Sequence, residues 1–157
     1  MPVPFAILDS RHRKEELFKT IVYKVLEEGF AIVIVNLSPS ILDIFRKKSI
    51  ELGRYKGNIF YIIKDITSAE TGVKVLSKKV WHFSRFHMFF GKIGMEAKII
   101  EAFAKGKMST IKEVEAFVKD EIVCFIEPVD DELFFYGEDL AKVILQNVLP
   151  KISFQAG

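Results

Sequence analysis

Residues 30–37 read Phe-Ala-Ile-Val-Ile-Val-Asn-Leu, an apolar run broken only at Asn36. A half-exposed strand alternates polar and apolar residues, whereas a strand buried on both faces has no reason to do so. Helix-period patterns flank the run. One ends at Gly29 and the next opens at Ser38-Pro39, a favoured N-cap followed by a favoured first helical residue. The run is therefore expected as a central strand in an α/β sheet, and the chain is laid out around it.

Upstream, Pro4–Leu8 is a short apolar strand, and a helix is expected from about Arg13 to Glu28. Leu17, Phe18, Ile21, Val22, Val25 and Leu26 supply its buried stripe, and Gly29 its C′ residue. Downstream, Ile41, Leu42, Ile44, Phe45, Ile50 and Leu52 give a second helix an inward face, closed at Gly53. Asn58–Lys64 then reads as a third strand ending at Asp65. Residues 4–65 thus predict a βαβαβ unit with right-handed crossovers over a parallel sheet. The expected fold is an α/β single-domain three-layer sandwich with a mainly parallel sheet, occupying residues 1–157 as one domain.

Beyond Asp65, Ile66–Gly72 is expected as a loop. Val73–Lys107 is expected as one or two helices broken near Gly91 and Gly94. Thr110–Asp120 predicts a short amphipathic helix, Glu121–Glu127 a fourth strand stopped by Pro128, and Leu133–Tyr136 a short strand or apolar loop. A last helix is expected from Glu138 to Leu149. The sequence shows no internal repeat.

Half the residues are hydrophobic, 28% are charged and 15 are Phe, which predicts an aromatic-rich core. No apolar run reaches the roughly 20 residues of a membrane span. Met1–Phe5 lacks the basic and apolar regions of a secretory leader, so a cytoplasmic protein is expected. The one cysteine, Cys124, has no internal partner and reads as a buried, inert thiol. A net charge of +2 favours no class of partner. Abundant Lys and Glu with scarce Asn and Gln suit a thermophile.

Three constellations could carry function. The first is the turn Ser10, Arg11, His12, Arg13 and Lys14, which with Asn36 stands where α/β nucleotide-binding folds hold phosphate. Such a loop needs glycines for backbone amides to wrap the anion, and this one has none. Two readings stand: a basic turn drawing a small anion to a helix N-terminus, or solvated charge. The second is Asp9, Asp65 and Glu127, at expected carboxyl ends of strands, where open parallel sheets bind ligands. Their oxygens could hold Mg²⁺ for nuclease chemistry, but polar residues end strands in any protein.

The third is the basic-aromatic stretch 78–92. Lys78, Lys79, Trp81, Arg85 and Phe89 in it could contact a protein, or grip a phosphate backbone and stack bases. The same pattern also fits a core helix. Basic residues continue to Lys107 while Glu113–Asp139 is acidic, so the two regions could neutralise one another. His82 and His87 are badly spaced to share a metal on a helix.

Strand Phe5–Leu8, helix Lys14–Glu28, strand Ala31–Leu37, the turn Ser38-Pro39-Ser40 with Ile41–Ile44, and strand Phe60–Asp65 together resemble RecA-fold, KaiC-like domains. The layout resembles most closely small archaeal families that keep it without the phosphate loop. The resemblance implies a RecA-like sheet and places Asp65 at the acidic position that assists Mg²⁺. ATP hydrolysis is not implied, because Arg11–Glu15 replaces the glycines and the phosphate-binding Lys and Ser/Thr.

The expected function is thus a non-catalytic binding or regulatory module. It would recognise a protein, a peptide or a small anion, need no cofactor or metal, and could form a homodimer. The alternative is a metal-dependent nuclease or nucleic-acid binder using Asp9, Asp65 and Glu127 with the basic-aromatic stretch.

Overall fold

The computed structural model describes residues 6–9, 14–35, 39–76, 87–121, 124–129, 132–146 and 153–154. In chain order the elements are β1 (Ala6–Asp9), α1 (Lys14–Glu27), β2 (Phe30–Val35), α2 (Pro39–Lys47), β3 (Gly53–Tyr55), β4 (Asn58–Ile63) and α3 (Ile66–Leu76). They continue with β5 (His87–Lys92), α4 (Glu96–Ala104), α5 (Ile111–Glu121), β6 (Cys124–Val129), β7 (Glu132–Tyr136), α6 (Glu138–Leu145) and β8 (Ser153–Phe154).

The strands form one sheet in the order β3-β4-β2-β5-β6-β7-β1-β8. Every neighbouring pair is antiparallel. This overturns the expected parallel, RecA-like sheet. The cause lies in residues 53–57. They form a strand and a tight turn that reverse the chain just before β4, so β4 returns antiparallel to β2, with Ile32 opposite Ile63 and Val35 opposite Phe60. Nor is β1 beside β2, because β7, β6 and β5 lie between them.

The apolar run 30–35 is buried at every position, as its composition requires. Phe30, Ile32 and Ile34 face one cluster with Leu17, Phe18, Ile21 and Val22 of α1, and α2, α3 and α6 add to the same side. Val33 and Val35 face a second cluster with Ile99 of α4 and Val114 and Val118 of α5. Continuous hydrophobicity reports helices on both faces. It carries no information on the direction of the neighbouring strands.

The connectivity contains a repetition that no sequence repeat announces. β2-α2-β3-β4-α3-β5 occupies the sheet as β3-β4-β2-β5. Numbered within the unit, that order is 2-3-1-4, the arrangement of a ferredoxin-like βαββαβ motif. β1-α1, resumed by β6-β7-α6-β8, occupies β6-β7-β1-β8, which is the same order. One unit is nested inside the other, and their edges fuse where Phe89 of β5 opposes Phe125 of β6. All four helices of the two motifs pack on the same side of the sheet. The extra pair α4 and α5, which joins inner to outer unit, covers the other.

Other expectations also need correction. Ile66–Gly72 begins a helix rather than a loop, because Asp65 caps it: Asp65 Oδ1 accepts from Ser68 N and Ser68 Oγ, both at 2.8 Å. Gly91, taken as a helix breaker, lies inside β5 opposite Ala31. Helix α2 ends at Lys47 rather than Gly53. Its αL residue is Ser49, with φ 54°, and Ser49 N donates to Arg46 O while Ile50 N donates to Phe45 O. Gly29 takes φ 81° after α1 and donates to Leu26 O. Pro128 does not stop β6 but pairs with Leu133 within it.

Candidate functional site

Antiparallel pairing decides which strand ends share an edge. β1, β2 and β6 all run one way and β4 runs the other. The carboxyl ends carrying Asp9 and Glu127 therefore lie at one edge of the sheet, and Asp65 lies at the opposite edge. Asp9 opposes Glu132, which in turn opposes Val129, so Asp9 sits two rows beyond Glu127 with β7 between their strands. The three carboxylates proposed from sequence do not converge. Among the described residues no group of three or more His, Cys, Asp or Glu could hold a metal ion.

Each carboxylate has its own setting. The Ser68 backbone N–H, helped by the Ser68 hydroxyl, holds Asp65 below the usual carboxylate range, as fits a helix cap. Glu127 is half-buried on the α5 side of the sheet, and burial pushes its carboxyl up. Tyr136 is pushed up to about 12, first by burial and then by the Glu127 and Glu115 carboxylates. The Cys124 thiol is fully buried and raised by desolvation. Neither the capped Asp65 nor the desolvated Cys124 is an activated nucleophile.

Phe89, taken from sequence as a contact residue, is instead fully buried. It stacks on Phe125 at 4.7 Å and meets Phe103 edge-on at 5.4 Å. β5 is an interior strand, so this position faces the core and not a partner. Ser10, Arg11, His12, Arg13, Asn36, Lys78, Lys79, Trp81 and Arg85 lie outside the described residues, as does the side chain of Lys14.

A concave site appears elsewhere, between α4 and α5. α4 packs on β2 and β4 while α5 packs on β6, and a groove of about 470 Å³ lies between the two helices. Ala102, Ala116 and Phe117 give the groove its apolar lining. α4 and the loop after it contribute Lys98, Glu101, Lys105 and Lys107 to one wall, and α5 contributes Glu113, Asp120 and Glu121 to the other. The helices run antiparallel, since Lys98 Nζ near the start of α4 reaches Glu121 Oε2 at the end of α5 at 3.2 Å. That ion pair is one direct contact between the basic and acidic stretches of the sequence.

Local chemistry fixes this helical hairpin. Gly106 takes φ 72° and Lys107 N bonds back to Ala102 O at 2.9 Å, which ends α4. Thr110 then caps α5: Glu113 N donates to Thr110 Oγ1, and Thr110 Oγ1 donates to Glu113 Oε1, each at 3.2 Å. Met108 is buried beneath the loop. Two ion pairs lie among the groove's charges, Lys98 with Glu121 and Lys105 with Glu101. The Lys105 ammonium holds Glu101 low, and Glu101 in turn raises Lys105.

The β3–β4 hairpin stands beside the same end of α4. Its turn places Lys56 at φ 46° and Gly57 at φ 81°, the two positive values of a type I′ turn. Tyr55 is 42% exposed, with Lys56 Nζ 5.6 Å from its ring centroid. The charges of Lys56 and Lys107 both act on Glu101, and Tyr55 acts on Lys105, so the turn and the helix end form one surface. Sequence reasoning passed over this hairpin because Arg54-Tyr55-Lys56 lies among residues that read only as a connection. The signal was Lys56-Gly57 immediately before an apolar strand.

Comparison with family models, with curated proteins and with solved structures finds no match for this chain.

Proposed function

We propose that this chain is a non-catalytic binding module that receives a peptide segment of a partner protein in the groove between α4 and α5. The observation that carries the reading is the groove itself, about 470 Å³ with an apolar lining between walls of opposite net charge. Such a site can take a short apolar side chain against Ala102, Ala116 and Phe117. The charged rim then fixes orientation more than affinity, because exposed ion pairs are worth little. Nothing in the groove needs a cofactor for this role. The proposed compartment is the cytoplasm, which suits a chain whose only cysteine is buried. Among the described residues no helix is long and apolar enough to cross a membrane.

Panning a random 12-residue peptide library against the protein tests the reading. Enriched peptides should bind by calorimetry and lose at least 10-fold in affinity to Ala116→Trp, which fills the groove from an exposed position. Failure to enrich any peptide, or binding indifferent to Ala116→Trp, refutes it.

A further inference from the structure

We infer that the tip of the β3–β4 hairpin, with the adjoining end of α4, binds single-stranded nucleic acid, one base stacking on Tyr55 and the flanking phosphates lying against Lys56, Lys105 and Lys107. This surface goes beyond the peptide groove: it adjoins the groove and shares Lys105 and Lys107 with it, while Tyr55 and Lys56 lie outside the groove lining.

Tyr55 is the one exposed aromatic among the exposed large hydrophobic side chains of the described residues. It is presented on a short edge strand whose three residues are all exposed. The type I′ turn that follows fixes its direction, and that turn holds a lysine where Asn, Asp or Gly is preferred. A non-glycine residue in the left-handed region costs free energy, and here the strained position places a cation over the ring, from which it can move onto a phosphate when a base stacks.

Two further cations come from a different element, Lys105 at the end of α4 and Lys107 in its loop. Against them stand Glu101, already paired with Lys105, and, on the α5 wall of the groove, Glu113, Asp120 and Glu121, the last paired with Lys98. Exposed pairs of that kind exchange readily, so a phosphate can replace the carboxylate at Lys105.

Three cations on this surface together with one exposed tyrosine ring match a strand that alternates phosphates with unstacked bases. An acidic peptide would satisfy the lysines and leave the tyrosine without a role. A duplex would do the same, since its bases are already stacked. The surface is small, so the bound length is about four nucleotides.

Fluorescence anisotropy with a labelled 12-nucleotide oligothymidylate, at 25 and 200 mM NaCl, tests this. The wild type should bind, with a log–log salt slope of about −2 for three phosphate contacts on a single strand. Tyr55→Ala should weaken binding about 10-fold or more, and Tyr55→Phe should restore it. Lys107→Glu should weaken binding and flatten the slope, while Lys74→Glu on α3 and Ala116→Trp in the groove should change neither. Circular dichroism checks that each variant is folded.

Absence of binding at 25 mM NaCl overturns the inference. So does equal competition by a duplex or by polyglutamate, or binding that keeps its full strength in folded Tyr55→Ala. The indifference expected of Ala116→Trp separates this result from the fate of the peptide groove.

Discussion

Gly72 of α3 faces Ile63 of β4 so closely that a Cβ on Gly72 would lie 2.9 Å from Ile63 Cδ1 and 3.1 Å from Tyr61 Cε2. Glycine inside a helix costs about 1 kcal/mol relative to alanine, so its presence at this position requires a compensating reason. The compensation is the close approach of helix to sheet. Tyr61 cannot yield easily: its ring stacks on Phe45 at 5.0 Å and its hydroxyl donates to Ser68 O at 2.7 Å. Overpacking a site of this kind costs about 1–3 kcal/mol. Gly72→Ala should therefore be neutral to destabilising by about 2 kcal/mol despite the gain in helix propensity. Urea unfolding measures this, and a stabilised Gly72→Ala would show that α3 can lift away freely.

The opposite substitution is expected to help at Ser49. This exposed residue carries φ 54° in the loop that ends α2, where glycine avoids the penalty of a Cβ. Part of that gain is lost to the greater entropy of glycine in the unfolded chain. Ser49→Gly should stabilise by about 0.5–1 kcal/mol, raising Tm by roughly 2 °C in calorimetry. Ser49→Val, β-branched at the same φ, should lower it.

Glu127 makes the stability depend on pH. Burial raises its folded pKa above the unfolded value, so the folded state binds the proton more tightly. Its contribution is most favourable at low pH, where both states are protonated. It declines as pH rises through the unfolded value and on through the raised folded one. Glu127→Gln removes the desolvated charge and should raise Tm at pH 7 while leaving it nearly unchanged at pH 4. An equal shift at the two pH values would mean that ionisation is not the cause.

Much of the core was legible in the sequence. The stripe Leu17, Phe18, Ile21, Val22 and Val25 of α1 is buried, as its spacing indicates. β2 is central and buried throughout, and Gly29 closes α1. Strand direction was not legible. Three exposed residues, Gly53–Tyr55, have no apolar pattern, yet they decide whether β4 runs with β2 or against it. Helix α3 was missed because its capping signal, Asp65 with Ser68, is also the composition of a loop. In 78–92 the alternation of Met88, Phe89 and Phe90 was hidden because β5 is buried on both faces. The candidate sites escaped for a related reason. A groove is a property of two helices side by side, and their placement is set by the strands on which each packs.

The nesting of one βαββαβ unit inside the other has a consequence for how the chain is made. Ala6 pairs with Phe135, while β2, β4 and β5 find one another within residues 30–92. On the ribosome the inner unit has all its strands as soon as Lys92 emerges, whereas β1 waits for β7. Its hydrogen-bonding edges stay open until Tyr136 has been made, and closing so long a loop is slow. β1 thus goes unpaired for longer than the strands of the inner unit. Truncated nascent chains ending before β7 should be the ones that chaperones hold.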